Sequence, residues 1–365
     1  MEQGRAPSLA SVNRVGVSRA VLGVVLVVTL AGCGSSSDAA VARGSVPAGF
    51  EPVSFTAVSE RDFWLLGTVP CQSGRCTAIV RTTDGGRSFA AIHAPALPSS
   101  GTIPELRFAD RLDGFAFVLW RGLFYATHDG GASWQRLALG RVLGFATGAG
   151  NVYVVTSRRL EHSRVSANAW HTRSLPFSSD GSALALAAHG ANLWLLGTRP
   201  SNGPIRNDEL ARSKDAGRTF VTGAGPCVPG LGGELAPTST QVVWAVCPTG
   251  MSAGASRSTN GGISFARLRT PPLVNSAQLA PASESTAVLA RGVGARLLRT
   301  TDGGSTWNFP KTPEPAMDIM WVGFTDARVG AALVQTGFDA SAKTEVTVLW
   351  RTTDGGATWS KVRVG

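Results

Sequence analysis

One nine-residue pattern recurs six times along the 365-residue chain: RTTDGGRSF (81–89), ATHDGGASW (126–134), RSKDAGRTF (212–220), RSTNGGISF (257–265), RTTDGGSTW (299–307) and RTTDGGATW (351–359). Its consensus is basic residue, Thr or Ser, any residue, Asp or Asn, Gly or Ala, Gly, any residue, Ser or Thr, aromatic. A seventh, decayed copy fits at SRVSANAW (163–170), with Val165 in the acidic place and Trp170 in the aromatic one. The acidic places are Asp84, Asp129, Val165, Asp215, Asn260, Asp302 and Asp354, so six steps cover 270 residues and average 45. Self-similarity at a fixed period of this size marks a repeat architecture, in which each unit is one supersecondary element that buries its apolar face only against its neighbours.

Each unit carries four short apolar runs divided by turn residues. In the first these are VSFTAVS (53–59), DFWLLGT (62–68), TAIVRTT (77–83) and RSFAAIH (87–93). The rhythm returns as LRFAD and GFAFVLW in the second unit, NLWLLGT in the fourth, QVVWAVC in the fifth, STAVLA in the sixth and VGAALVQ in the seventh. Alternating runs of this length between turn signals read as strands. Four strands repeated every 40–45 residues are the signature of a propeller blade. The expected fold is therefore all-β, a seven-bladed β-propeller of four-stranded antiparallel blades over residues 50–365. Composition agrees: 44 glycines and only 16% charged residues, against a usual charged share of about 25%, suit a chain rich in tight turns.

The pattern itself has a local physical reading. It lies on the turn between the third and fourth strands, where the side chains of Asp84, Asp129, Asp215, Asn260, Asp302 and Asp354 can accept hydrogen bonds from the backbone just beyond them. The second glycine (Gly86, Gly131, Gly217, Gly262, Gly304, Gly356) suits a positive φ. The hydroxyl two residues later can bond back across the turn. The aromatic (Phe89, Trp134, Phe220, Phe265, Trp307, Trp359) is expected to bury its ring between neighbouring sheets. Val165 has no acceptor, so the third turn must be closed in another way.

The N-terminus reads as a targeting segment. Arg5, Arg14 and Arg19 precede the eleven-residue apolar run Ala20–Leu30, short of the ~20 residues of a spanning helix and within the 7–15 of a signal sequence. It leads into Leu30-Ala31-Gly32-Cys33, which resembles a bacterial lipobox; the alternative is an ordinary signal peptide with an accidental cysteine. The expectation is a lipoprotein signal peptide over 1–32, a Ser/Gly-rich tether over 33–49, lipidation of Cys33, and residence on the outer face of a bacterial cell membrane. Four other cysteines remain: Cys71, Cys76, Cys227 and Cys247. An even number suits disulfides in an oxidising compartment. Cys71 and Cys76 flank a QSGR loop between two expected strands, leaving Cys227 and Cys247 as the second pair. Four thiolates around zinc are the other reading, and C-x4-C matches zinc spacing loosely. Removing 1–32 lowers the net charge from +10 to +8. A basic surface suits an acidic partner, and export argues against nucleic acid.

The pattern S/T-x-D-x-G-x-T/S-W is similar to the Asp-box, or BNR, repeat of bacterial sialidases, sortilin-type receptors, some xyloglucanases and the photosystem II stability/assembly factor family. The RTTDGG-x-T-W form, the seven units and the lipobox resemble the last group most. The resemblance spans residues 50–365 and implies the propeller; in that group it also implies a basic surface that binds a membrane-protein partner. Function does not follow from the repeat, which recurs across unrelated activities.

The residues bear on two classes of function. A sialidase-like or other glycoside hydrolase would, by that resemblance, need an arginine triad, a Tyr–Glu nucleophile pair, an acidic proton donor and an F/Y-R-I-P motif. The nearest string is Pro204-Ile205-Arg206, and the only tyrosines, Tyr125 and Tyr153, lie in apolar strands. The five histidines (His93, His128, His162, His171, His189) show no metal-binding spacing, and no nucleophile elbow, P-loop or dinucleotide fingerprint occurs. No catalytic residue, metal or cofactor is therefore expected. The binding reading rests on Arg81, Arg212, Arg257, Arg299 and Arg351, which precede five of the six clear motifs. Rotational repetition would array them as a basic band. Alternatively, each packs along its blade and bonds a neighbouring turn. The expected role is a monomeric, non-catalytic binding scaffold or assembly factor for an envelope protein or glycan; the insertions 199–211 and 335–345 are either the loops that read the partner or tolerated surface insertions.

Overall fold

The computed structural model describes residues 44–365 except 73, 100, 158, 178–184, 200–206, 229–230, 275, 291–295 and 340–343. Cys33, the expected signal peptide and most of the expected tether thus lie outside the described residues.

Alternating apolar runs separated by Gly- and Ser-rich turns fold, one after another, into antiparallel sheets. In the first unit Glu51–Ala57, Phe63–Cys71, Gly74–Thr82 and Ala90–Ile92 pair in chain order. Six more sheets follow at 104–136, 144–174, 185–224, 234–267, 278–308 and 318–362, which makes seven blades in sequence order. Among the described residues there is no helix. Two blades depart from the scheme. In blade 6 the fourth strand shrinks to a single bridge between Arg299 and Asn308, held by two backbone bonds of 2.8 and 2.9 Å. In blade 5 a short extra strand, Leu273–Val274, pairs with Ser252 and Ala253 beyond the end of the fourth strand.

Among the described residues seven apolar clusters form, and each draws on two consecutive blades. Trp64, Leu66 and Ile79 of blade 1 pack on Leu106, Phe108 and Ala116 of blade 2, with the Trp64 and Phe108 rings stacked at 3.9 Å. The last cluster joins Leu333 and Leu349 of blade 7 to Phe55, Leu65 and Val80 of blade 1. The ring therefore closes by side-chain packing, with each blade built from its own consecutive strands.

The motif aromatics sit at these joints, each against the preceding blade: Phe89 on blade 7, Trp134 on blade 1, Phe220 on blade 3, Phe265 on blade 4, Trp307 on blade 5 and Trp359 on blade 6. Trp170 of the decayed unit does the same against blade 2, edge-on to Phe124 at 5.7 Å. Trp359 is buried and the other six are half-buried, so each removes less from water than the roughly 150–250 Å² of a fully buried aromatic, which at ~25 cal/mol per Å² sets an upper bound of about 4–6 kcal/mol gross. Tyr125 and Tyr153 are buried in the joints between blades 1 and 2 and between blades 3 and 4.

Both expected insertions are strand extensions in their described parts. Arg199 pairs with Asn207 and Asp339 with Thr344, and 200–206 and 340–343 lie outside the described residues.

Candidate functional site

The six motif turns share one hydrogen-bond pattern. In the first, Thr82 Oγ1 donates to Asp84 Oδ1 at 2.8 Å and accepts from Gly86 N at 3.0 Å. Asp84 Oδ1 also accepts from Arg87 N and Ser88 N, and Oδ2 accepts from the Ser88 hydroxyl at 2.6 Å. Asp129, Asp215, Asp302 and Asp354 repeat these contacts. Asn260 keeps the acceptor at Oδ1 and turns its Nδ2 into a donor to Ser264 Oγ at 2.9 Å. The hydroxyl and backbone of Ser88 hold Asp84 well below the usual carboxylate range, and Thr219 and Thr306 do the same for Asp215 and Asp302. For Asp129 and Asp354 burial acts upward, but the turn's hydrogen bonds outweigh it and bring both to about 2. Carboxylates this acidic are weak proton acceptors near neutral pH. In the third unit the backbone closes the turn instead: Ser163 Oγ donates to Ala167 O at 2.9 Å and Val165 N to Gly150 O at 3.1 Å.

Three of the five motif arginines reach across a joint to the following blade. Arg257 Nε donates to Glu284 O at 3.0 Å, Arg299 Nε to Gly355 O at 2.7 Å and Arg351 Nη2 to Glu60 O at 2.7 Å, each acceptor belonging to the following blade. Arg81 stays nearer home, 4.7 Å over the Trp64 ring and 3.3 Å from Asp62 Oδ1. Asp62, almost fully buried, also takes Arg111 of blade 2 at 2.7 Å. Arg212 stands opposite Trp194 in the sheet, and its buried Nε has no partner among the described residues. Among the described residues no two of the five share a partner.

The cysteines pair as Cys71–Cys76, with Cα atoms 5.8 Å apart, and Cys227–Cys247, with Cα atoms 5.1 Å apart. The first staples the hairpin of blade 1. The second ties the connection between blades 4 and 5 to the second strand of blade 5, Val243–Pro248. Among the described residues no group of three or more His, Cys, Asp or Glu is placed to hold a metal.

A polar cluster unmarked by any motif lies where first strands of neighbouring blades meet. Arg107 Nη2 pairs with Glu105 Oε2 at 2.7 Å, and its Nη1 donates to Ser54 Oγ at 3.3 Å and Leu106 O at 2.8 Å. Ser54 Oγ accepts from Leu106 N, and Thr56 Oγ1 from Phe108 N, so blade 1 and blade 2 are bonded along their first strands. Glu234, on the first strand of blade 5, is exposed to solvent, with protein atoms crowded around its carboxyl. That crowding pushes its carboxyl up to about 7 against a backbone bond from Leu279 and the charge of Arg107, while Glu105 adds to the rise. Such an edge offers an ion pair and a carboxyl that changes charge near neutral pH. Sequence reading missed it because single charges in alternating strands carry no spacing signal. Only the i, i+2 placement of Glu105 and Arg107, which sets both on one face, pointed to it.

No protein-family model and no curated protein matches the chain. Solved structures do. YCF48 bound to a D1 peptide is 17% identical, with a TM-score of 0.54 over 86% of this chain and 96% of that one. YCF48 from Cyanidioschyzon merolae is 16% identical, with a TM-score of 0.54 over 87% and 99%. A puromycin-hydrolyzing peptidase of Mycobacterium tuberculosis is 15% identical, with a TM-score of 0.59 over 89% of this chain but 56% of that one. At these identities the likeness is one of fold: this chain is similar to propellers of the YCF48 kind along nearly their whole length.

Proposed function

We propose that the chain is a non-catalytic binding scaffold or assembly factor, lipid-anchored through Cys33 on the outer face of a bacterial cell membrane, that holds an envelope protein. The observation that carries this reading is the end-to-end likeness to a propeller described as bound to a peptide. The peptidase of similar fold is a larger chain, of which this one spans 56%. The use of the motif groups supports the same reading. Five turn carboxylates are saturated by their own turns, and the guanidinium groups of Arg257, Arg299 and Arg351 bond the next blade. Those groups make a rigid frame, and a rigid frame that presents loops is the general design of a binding scaffold.

Capture from detergent-solubilised envelopes, with the full chain as bait, tests the proposal. One or a few membrane proteins retained in stoichiometric amount are the expected result. Turnover of a fluorogenic sialoside or a β-glucan by the same protein, abolished by Glu105→Gln or Glu234→Gln, would replace the scaffold with a hydrolase.

A further inference from the structure

A cleft of about 420 Å³ opens at the joint between blades 4 and 5, walled by the 224–228 segment on one side and by the third strand of blade 5, Ser252–Ser258, and residues 263–265 on the other. The repeat explains why it is there. The residue just before the basic place of the motif faces the joint with the preceding blade, and in the other five clear copies it is Val80, Tyr125, Ala211, Leu298 or Trp350, each packed in that joint's apolar cluster. In blade 5 it is Ser256. Ser256 is 8% exposed and lines the cleft, and its Oγ has no hydrogen-bond partner among the described residues. A buried hydroxyl left unpaired is costly, and a framework position that is apolar elsewhere gives no reason for it.

The cleft's other features point outward. Ile263 and Val228 line it with 65% and 44% of their surfaces in solvent, and apolar surface gathered at a concavity marks an interaction site. Arg267 stands directly across the sheet from Ser256, on the same face. It is the only charged residue among the described ones that line the cleft, and it forms no ion pair among the described residues. An apolar slot, an unpaired hydroxyl and an unpaired cation on one face complement an apolar side chain, a backbone amide and a carboxylate in turn.

We infer that this cleft docks a peptide segment of a partner protein, which inserts an apolar side chain between blades 4 and 5 and sets an Asp or Glu beside it against Arg267. The inference rests on the protein-binding reading above and gives that partner a chemistry. Selection of random twelve-residue peptides displayed as N-terminal fusions, which have no free C-terminal carboxylate, against the full chain tests it. The expected selectants pair an aromatic or branched residue with a nearby acid. An amidated, fluorescein-labelled copy of the best one is then titrated by anisotropy. Ser256→Leu refills the joint as Leu298 does in blade 6 and is expected to weaken binding at least about tenfold with an unchanged or raised Tm. Arg267→Glu, an exposed change, is expected to do the same without touching the core. Selectants without an acid, or binding indifferent to both variants, would overturn the cleft assignment and leave the scaffold reading to the envelope capture. Loss in Ser256→Leu alone, with Arg267→Glu unaffected, would overturn the acidic partner.

Discussion

Arg351 Nη2 donates to the backbone carbonyl of Glu60 at 2.7 Å and so joins the last blade to the first across 291 residues of sequence. The same place in blade 6 does the same to blade 7 through Arg299 and Gly355. Blades 5, 6 and 7 thus clasp both neighbours, with the aromatic behind and the arginine ahead. Among the described residues no strand is exchanged at the closure, and the joint between blades 7 and 1 rests on the Phe55–Leu349 cluster and on this latch. Arg351→Met, which keeps the aliphatic stem, is expected to cost about 1 kcal/mol. Urea unfolding measures the loss, and hydrogen exchange should show faster opening of the strands of blades 1 and 7.

The turn carboxylates make a second prediction, because Asn260 already shows what an amide does there. Asp354→Asn keeps an oxygen for Thr358 N and a donor for the Thr358 hydroxyl, as Asn260 does with Ser264. It is expected to leave Tm close to the parent. Asp354→Ala strips the acceptors and should lower Tm by about 1–2 °C, the shift that ~1 kcal/mol gives a domain of this size at ~2.1 cal/mol/K of unfolding entropy per residue. Differential scanning calorimetry of the pair separates the acceptor from the charge.

How much of this was legible in the sequence depends on whether a residue repeats. The blade count, the aromatic joints and the closing of the third turn without Val165 all follow from a unit that recurs, since one local argument then holds at every copy. The arginines left two readings open, because a register of basic residues looks the same whether they face solvent or the next blade. The bond from Arg299 to Gly355 O is visible only once neighbouring sheets are stacked. Ser256 and Glu234 are silent in the sequence for the opposite reason: each departs from its repeat singly. A lone deviation acquires meaning only when the joint it faces is known. Blade 6 lost its fourth strand to the run Asn308-Phe309-Pro310, where proline cannot donate to a ladder.

Stability should peak on the acid side of neutrality. Asp84, Asp129, Asp215, Asp302 and Asp354 are depressed in the fold, so what they contribute is complete above their unfolded value of about 4 and is lost as pH falls toward 2. Asp208 and Glu234 work in the opposite sense. Burial pushes Asp208 up to about 7 despite the bond it accepts from Cys227 N, and Glu234 stands at the same value. Their protonated forms suit the fold, so their contribution is complete below about 4 and is lost as pH rises through 7. Urea midpoints between pH 2 and 9 should show a maximum near pH 4–5, on the order of the unfolded carboxyl values. Asp208→Asn with Glu234→Gln should flatten the limb between pH 5 and 8 and leave the acid limb alone. A midpoint that stays level from pH 4 to 8 in the parent would count against both groups.

The anchor is tested at Cys33. A thiol following Leu30-Ala31-Gly32 is the atom that would take the lipid, so Cys33→Ala is expected to abolish labelling by an alkyne fatty acid in cells and to move the protein from the detergent phase to the aqueous phase in Triton X-114 partition. Labelling that survives the substitution would place any lipid elsewhere.

Ala216 supplies the last prediction. Five turns put glycine at the first of the paired positions, with φ of 80° at Gly85, 74° at Gly130, 71° at Gly261, 72° at Gly303 and 67° at Gly355. Blade 4 holds Ala216 there at φ 61°, a left-handed conformation that a Cβ disfavours. Its backbone is used as in a glycine turn: Ala216 N donates to Ala191 O at 2.9 Å, and its carbonyl accepts from Arg173 Nη1 at 2.9 Å. Neither bond needs the methyl. Ala216→Gly therefore removes strain and no hydrogen bond, and it is expected to stabilise the protein by about 1 kcal/mol, the range over which relief of a positive φ exceeds glycine's extra freedom in the unfolded chain. Gly303→Ala is the reverse experiment. It adds the same strain and sets a Cβ 3.3 Å from Arg257 Nη1, so it should destabilise by more than Ala216→Gly gains. Chemical denaturation of the two variants reads both signs, and a neutral Ala216→Gly would mean that the blade 4 turn relaxes away from the conformation described here.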